Sequence, residues 1–248
     1  MRYFIDISFN GKNYHGWQIQ PNATSIQEIL ERTFSTFFRS EIKVTGAGRT
    51  DTGVHASQMV AHFDIDTKIE DLSEVISRLN SFLPKDIALQ DIYPVIDEAH
   101  ARFDAYEREY QYGILLDKDP FRIDVAYQIY QMPDIEKMNE AAALLLGHQD
   151  FQCFSRSNTD VKTYYCDVKQ AYWEYEDYFL IFTIAADRFL RNMVRAIVGT
   201  LLDVGHGKIT IEEFKDIINS KDRTKAGASA PAHGLFLTRV EYPETIYK

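Results

Sequence analysis

The sequence predicts an α+β fold of two ferredoxin-like (RRM-like) halves. Together they are expected to form an antiparallel sheet with helices on one side and a central active-site cleft. Three observations predict it. Strand and helix signals alternate over the first hundred residues in the order β-α-β-β-α-β. The second half repeats that plan at lower resolution. No Pro/Gly/Ser-rich linker separates the halves, so they are expected to pack rigidly, with a cleft between them. The expected domains are 1–103 and 104–248, the boundary falling near Ala99 to Tyr106.

Each element has its own local signal. Arg2 to Phe9 reads as a strand, ended by the turn pair Asn10-Gly11. A polar, aromatic loop through Tyr14, His15, Gly16 and Trp17 follows. Ser25 with Glu28 fits a capping box, and Ile26, Ile29, Leu30, Phe34, Phe37 and Phe38 recur at helical spacing. Glu41 to Thr45 is a short strand, and Gln58 to Ile65 a longer one. Asp71 caps a helix with Val75, Ile76, Leu79 and Phe82 on one face, and Ile87 to Val95 closes the first half. In the second half, Glu109 to Leu116 and Ala126 to Tyr130 read as paired strands. Pro133 and Asp134 open a helix with Met138, Ala142, Leu145 and Leu146. Strands near Lys169 to Glu174 and Tyr178 to Ala185 precede a long helix from about Arg188 to Val204. A shorter helix from about Ile211 to Ile218 and a last strand, Leu235 to Tyr242, complete the chain.

Composition narrows the class. With 248 residues, 45% hydrophobic and 26% charged, the chain is neither disordered nor fibrous. No apolar run approaches the roughly 18 residues of a membrane helix. Asp6 interrupts the apolar start that an export signal needs, so a cytoplasmic, non-membrane protein is expected. Two cysteines, Cys153 and Cys166, read as reduced buried thiols. The seven histidines and two cysteines show no C-x-x-C, H-x-H or H-E-x-x-H spacing, so no metal is expected. A net charge of -10 taken alone argues against a polyanionic partner. The charge is uneven, however. Val60 to Tyr110 holds 12 acids and 5 Lys/Arg, whereas Asp187 to Lys225 holds 6 acids and 8 Lys/Arg. An acidic total therefore leaves room for a basic working face.

The densest chemical signal is the run from Gly46 to Ala56, where three glycines in eight residues flank Arg49 and Asp51. Glycine permits positive φ and close approach of backbone to a ligand. The run is not a nucleotide loop. It lacks the third glycine of G-x-G-x-x-G and the G-K-[ST] ending of a P-loop. Asp51-Thr52-Gly53 also lacks the second Asp, two residues on, with which aspartyl-phosphate enzymes hold magnesium.

Gly48-Arg49-Thr50-Asp51-Thr52-Gly53-Val54-His55-Ala56 resembles the active-site motif of the TruA family of tRNA pseudouridine synthases. The resemblance continues in order along nearly the whole chain. His15-Gly16-Trp17-Gln18 and Thr24-Ser25-Ile26-Gln27 resemble the family's N-terminal loop and helix start. Arg108-Glu109-Tyr110-Gln111-Tyr112 resembles its R-x-Y-x-Y strand. Phe189 to Arg195 with Ile197-Val198-Gly199 resembles its long-helix motif, and Ala230 to Leu237 its closing segment. The resemblance implies isomerisation of uridine to pseudouridine in the anticodon stem-loop of tRNA, without metal or cofactor, by a homodimer whose RNA touches both subunits.

By that resemblance Asp51 is the essential carboxylate, adding to sugar or ring, or abstracting a sugar proton so that a glycal forms. A carboxylate kept ionised in a partly dry pocket needs a fixed cation beside it, and the resemblance assigns Arg195. It also assigns Tyr110 to stack on the target base and move the C5 proton, and Leu235 to floor the uracil site. Arg49 lies two residues before Asp51, so an extended backbone would turn both side chains one way. Arg49 then fills the gap left by a flipped nucleotide or holds a phosphate. Arg188 and Arg191, spaced with Arg195 as on one helix face, are expected to bind phosphates. Two rivals use the same residues differently: a non-catalytic RNA-binding module on the same plan, and an Asp-dependent phosphate-ester hydrolase. The hydrolase needs a second carboxylate near Asp51, and the loop has none.

Overall fold

The structure, a computed structural model, describes residues 1–156, 162–176 and 178–248. The chain divides into two compact units, Met1–Glu107 with Phe236–Lys248, and Arg108–Leu235. The last thirteen residues group with the first unit rather than with the contiguous second half.

The first unit realises the β-α-β-β-α-β order. Strand β1 (Arg2–Phe9) lies at the centre of the antiparallel set. Helix α1 (Ile26–Phe38) starts where Ser25 Oγ accepts from the Glu28 backbone N–H at 3.3 Å, a cap worth about 1 kcal/mol. Strands β2 (Val44–Gly46) and β3 (His55–Asp64) follow. Helix α2 (Leu72–Phe82) is capped by Asp71, whose Oδ1 accepts from Glu74 N at 2.9 Å, and β4 (Ile87–Val95) ends the set. The order β4-β1-β3-β2, antiparallel throughout, is the ferredoxin-like one. On one face Phe34 of α1 meets Phe63 edge-on at 5.2 Å, and Tyr3 stacks on Phe63 at 5.8 Å. Those contacts place α1 on that face. Helix α2 buries less than its pattern predicts: Leu79 is buried, but Phe82 is 58% exposed at the helix end.

In the second unit, β5 (Glu107–Leu115) runs antiparallel to a later strand and parallel to the two-residue β6 (Tyr127–Gln128). Helix α3 (Ile135–Ala143) begins at Asp134, which accepts from Lys137 N at 3.1 Å. Strands β7 (Gly147–Asp150), β8 (Tyr165–Glu176) and β9 (Phe179–Ala186) complete an antiparallel order β5-β9-β8-β7. This β-α-β-β-α arrangement echoes that of the first unit. Helix α4 (Met193–Gly205) is buried over most of its circumference, as a helix lined by Val194, Ile197, Val198, Leu201 and Leu202 must be. Helix α5 (Ile211–Ser220) starts with a complete Thr210–Glu213 capping box.

The final strand, β10 (Leu235–Glu241), pairs in parallel with the start of β3 through Phe236↔His55 and Leu237↔Ala56. Beyond it, Tyr242 packs edge-on against Phe4 at 5.1 Å and donates to Ala101 O at 2.6 Å. The C-terminal segment thereby covers the face of β1 that bears Phe4, which explains its grouping with the first unit.

The long helix corrects one expectation. It starts at Met193, not near Arg188, because Asn192 adopts a left-handed conformation (φ 65°) that no helical residue can hold. Arg188 and Arg191 therefore lie on an irregular lead-in and do not share a helix face with Arg195.

Candidate active site

In the first unit the glycine-rich run is the connection from β2 to β3, and a second segment, residues 11–17, holds it in place. Gly53 N donates to Tyr14 O at 3.3 Å and Trp17 N to Thr50 O at 3.2 Å. Val54 N closes a turn on Asp51 O at 3.1 Å. Gly16 lies at φ +83°, and a Cβ there would run into the Thr50 carbonyl, so only glycine brings the two segments this close. Gly46 is constrained in the same way. A Cβ on it would sit 2.6 Å from the Trp17 indole, which is itself only 3% exposed. Trp17 is thus a packing residue beneath the loop.

Two further anchors complete the support. His55 is fully buried and stacks on Phe236 at 4.6 Å, and its Nδ1 accepts from Gly11 N at 3.0 Å. A ring nitrogen that accepts carries no proton, so Nδ1 has none. Tyr14 donates its hydroxyl to Asp86 Oδ1 at 2.6 Å. Burial first, and the Asp86 carboxylate second, push that hydroxyl above its ordinary pKa and keep it a donor. On this base Thr50 is buried, Asp51 half-buried and Arg49 exposed. His15 points to solvent.

The second unit holds the other five predicted residues. Tyr110 lies on β5 opposite Ile184, half-buried, with Phe189 edge-on to its ring at 5.1 Å. Two residues before it, Arg108 Nη1 donates to Asp187 O at 2.8 Å. Two residues after it, Tyr112 is fully buried and donates to Pro231 O at 2.8 Å. Desolvation holds its hydroxyl well above the ordinary range, and the Arg195 charge opposes that shift. Arg195, the third residue of α4, is half-buried; its Nε donates to Ala230 O at 2.7 Å, and Ala230 N donates back to Arg195 O at 2.9 Å. Leu235 is 6% exposed and follows Gly234, whose missing Cβ would lie 2.7 Å from the Tyr112 ring. Arg188 is half-buried and Arg191 exposed.

Sequence reasoning missed one basic residue here. Arg156 is exposed, and its backbone N–H donates to Arg191 O at 3.0 Å, which sets a third arginine beside the lead-in to α4. Nothing in the spacing of residues 156 and 191 signals that neighbourhood. Among the described residues, no group of three His, Cys, Asp or Glu side chains is placed to hold a metal ion. The Cys153 and Cys166 thiols are buried, and desolvation pushes both up to about 12. No helix among the described residues is long and apolar enough to cross a membrane.

Comparison with known proteins places this architecture in a family. A family profile described as tRNA pseudouridine synthase matches residues 7–104 and 141–243. A protein of Bacteroides fragilis named tRNA pseudouridine synthase A is 52% identical over 248 residues, covering 100% of this chain and 98% of its own length. The protein of that name from Parabacteroides distasonis is 51% identical, covering 99% of this chain and 98% of its own. That of Thermoanaerobacter sp. is 42% identical over 96% of this chain and 98% of its own length. Matched over both units and across the Asp51 loop, the chain belongs to the tRNA pseudouridine synthase family.

Proposed function

We propose that this protein isomerises uridine to pseudouridine in the anticodon stem-loop of tRNA, with Asp51 as its essential carboxylate. The N1–C1′ bond of the uridine is cut, the uracil turns within the pocket, and a C5–C1′ bond forms. C5 gives up its proton and N1 gains one, so atoms and electrons balance without any co-reactant. The target base leaves the helical stack to reach Asp51, at a cost of a few kcal/mol that is least near a loop. Arg195 supplies the fixed positive charge of the reaction, a cation that never loses its proton. Tyr110 stacks on the uracil and takes part in removing the C5 proton, and Leu235 supplies an apolar floor. Arg49 occupies the gap left by the flipped base or holds a phosphate. Arg188 and Arg191 grip the backbone, a recognition mode that reads RNA shape more than sequence. The working form is a homodimer in the cytoplasm, with one tRNA across both copies.

One observation carries this reading. The run around Asp51 is held at Thr50, Gly53 and His55 by the 11–17 segment, and it leaves Asp51 half-buried, in a chain whose family is tRNA pseudouridine synthase. The test is release of tritium to water from tRNA labelled at uracil C5, with no metal added. The wild type is expected to release it, Asp51→Asn to release none while still binding tRNA, and Tyr110→Phe to bind but turn over slowly. Tritium release by Asp51→Asn removes Asp51 from the mechanism.

A further inference from the structure

The guanidinium of Arg195 is aimed by a short strap of chain, and the strap is held by a second arginine. With Nε committed to Ala230 O at 2.7 Å, the plane of the Arg195 group follows wherever that carbonyl goes. Ala230 closes the strap Ala226–Ala230, which has no helix or strand of its own. Its position must come from side chains and from the helix beneath.

Arg223 supplies most of that hold. Its Nη1 donates to Ala226 O at 3.3 Å and to Gly227 O at 3.1 Å, and its Nη2 donates to Ser229 Oγ at 3.0 Å. The rigid fork of the guanidinium reaches three acceptors at once through two nitrogens, an arrangement that the single ammonium of a lysine cannot reproduce. Asn192 Nδ2 donates to the same Ser229 Oγ at 2.6 Å, from the left-handed residue that opens α4. Gly227 N donates to Thr200 Oγ1 at 3.0 Å, and that buried hydroxyl donates to Ala196 O at 2.7 Å. At Gly199 the strap rests on the helix backbone itself. A Cβ there would collide with the Ala228 carbonyl. Three of the five strap residues are thus tied by hydrogen bonds, each of them by Arg223; Ala228 packs against the helix at Gly199, and Ala230 holds Arg195.

We propose that Arg223 is a positioning residue for Arg195, acting through the 226–230 strap and touching no substrate. The proposal rests on the reading that Arg195 serves the reacting uridine.

A double-mutant cycle tests both claims separately. Single-turnover tritium release, tRNA binding and thermal unfolding are measured for Arg223→Met, Arg195→Lys and their combination. Arg223→Met is expected to leave the tRNA Kd within about two-fold and slow the chemical step about 10- to 100-fold, the loss that misplacing a reacting group by up to about 1 Å brings. Arg223→Lys is expected to recover part of that loss. In the Arg195→Lys background, which has no Nε to aim, adding Arg223→Met is expected to slow the reaction less than about three-fold. A full multiplicative loss in the combined variant overturns the proposal, as does a folded Arg223→Met enzyme with an unchanged rate. Weakened tRNA binding with an unchanged rate overturns it too, since Arg223 would then be an RNA contact. Unchanged rates for both Arg195→Lys and Arg195→Met refute the prior reading of Arg195 instead. If Arg223→Met does not fold, Ser229→Ala removes the shared oxygen and enters the same cycle with the same expectations.

Discussion

Adding one methyl group at Gly46 tests whether the 11–17 segment sets the position of Asp51. The alanine Cβ would lie 2.6 Å from two carbons of the Trp17 indole and 2.9 Å from its nitrogen, where non-bonded Cβ contacts begin at 3.0 Å. The indole must therefore withdraw by about 0.4 Å. It is 3% exposed and packs against Phe9, so it has no empty space to enter. Overpacking of this kind costs about 1–3 kcal/mol, and the loss of unfolded-chain freedom on replacing glycine returns about 0.4–1 kcal/mol. At the middle of both ranges a net loss of about 1.3 kcal/mol remains, which lowers the melting midpoint by about 3–5 °C in a chain of this size. Trp17 N also donates to Thr50 O, so the shift reaches the residue beside Asp51. If about 1 Å of misplacement costs about 100-fold in rate, 0.4 Å costs about six-fold. Thermal unfolding and single-turnover tritium release measure the two effects. Trp17→Phe, which replaces the fused double ring with a smaller single one, is expected to relieve both in the double variant. A Gly46→Ala protein that melts and reacts like the wild type would refute this account, and so would strict additivity with Trp17→Phe.

Two further outcomes are expected. His62 is 6% exposed and its Nδ1 accepts from Ala101 N at 3.1 Å; burial foremost, then the Arg2 and His100 charges, lower its pKa to about 4 against Asp64 and Asp104, which act the other way. The unfolded chain takes up this proton first, near pH 6.5, so the stability is complete above that pH and falls as the pH drops toward 4. The loss reaches about 3 kcal/mol. Urea unfolding at pH 7.5 and 4.5 should show a smaller pH effect in His62→Asn than in the wild type, and an equal effect in the two proteins would remove His62 as its source. Light scattering at micromolar concentration is expected to give twice the 28.7 kDa chain mass, and a monomer mass would refute the proposed homodimer.

Much of the fold was legible because its elements carry local signals. β1 and β4 run Arg2–Phe9 and Ile87–Val95 as their apolar runs predict, and Ser25, Asp71 and Asp134 cap the helices expected of them. Failures occur where tertiary structure overrides local pattern. The apolar spacing of Phe189 and Met193 continues the α4 pattern backwards, but one left-handed asparagine breaks the helix without any Gly or Pro to announce it. β7 is Gly-His-Gln-Asp, a polar run that becomes a strand only by pairing with β8. β3 begins at His55 rather than at Gln58, since the parallel contact of Phe236 with His55 extends it. For the candidate site, the Gly46 to Ala56 run was visible from its residue types alone. Its supports were not, because the bonds from Gly11, Tyr14 and Trp17 span more than thirty residues and follow no periodicity. The strap that aims Arg195 was hidden for the same reason.

The dependence of the Asp51 run on residues 11–17 bears on protein engineering. The nine-residue signature from Gly48 to Ala56 is not a portable cassette. Grafted alone onto another scaffold it would leave behind the carbonyl of Tyr14, the indole of Trp17 and the amide of Gly11 that give it its shape. The smallest transplantable piece is a discontinuous pair of segments, and a library that randomises the signature while ignoring its upstream companion samples chemistry on an unsupported loop.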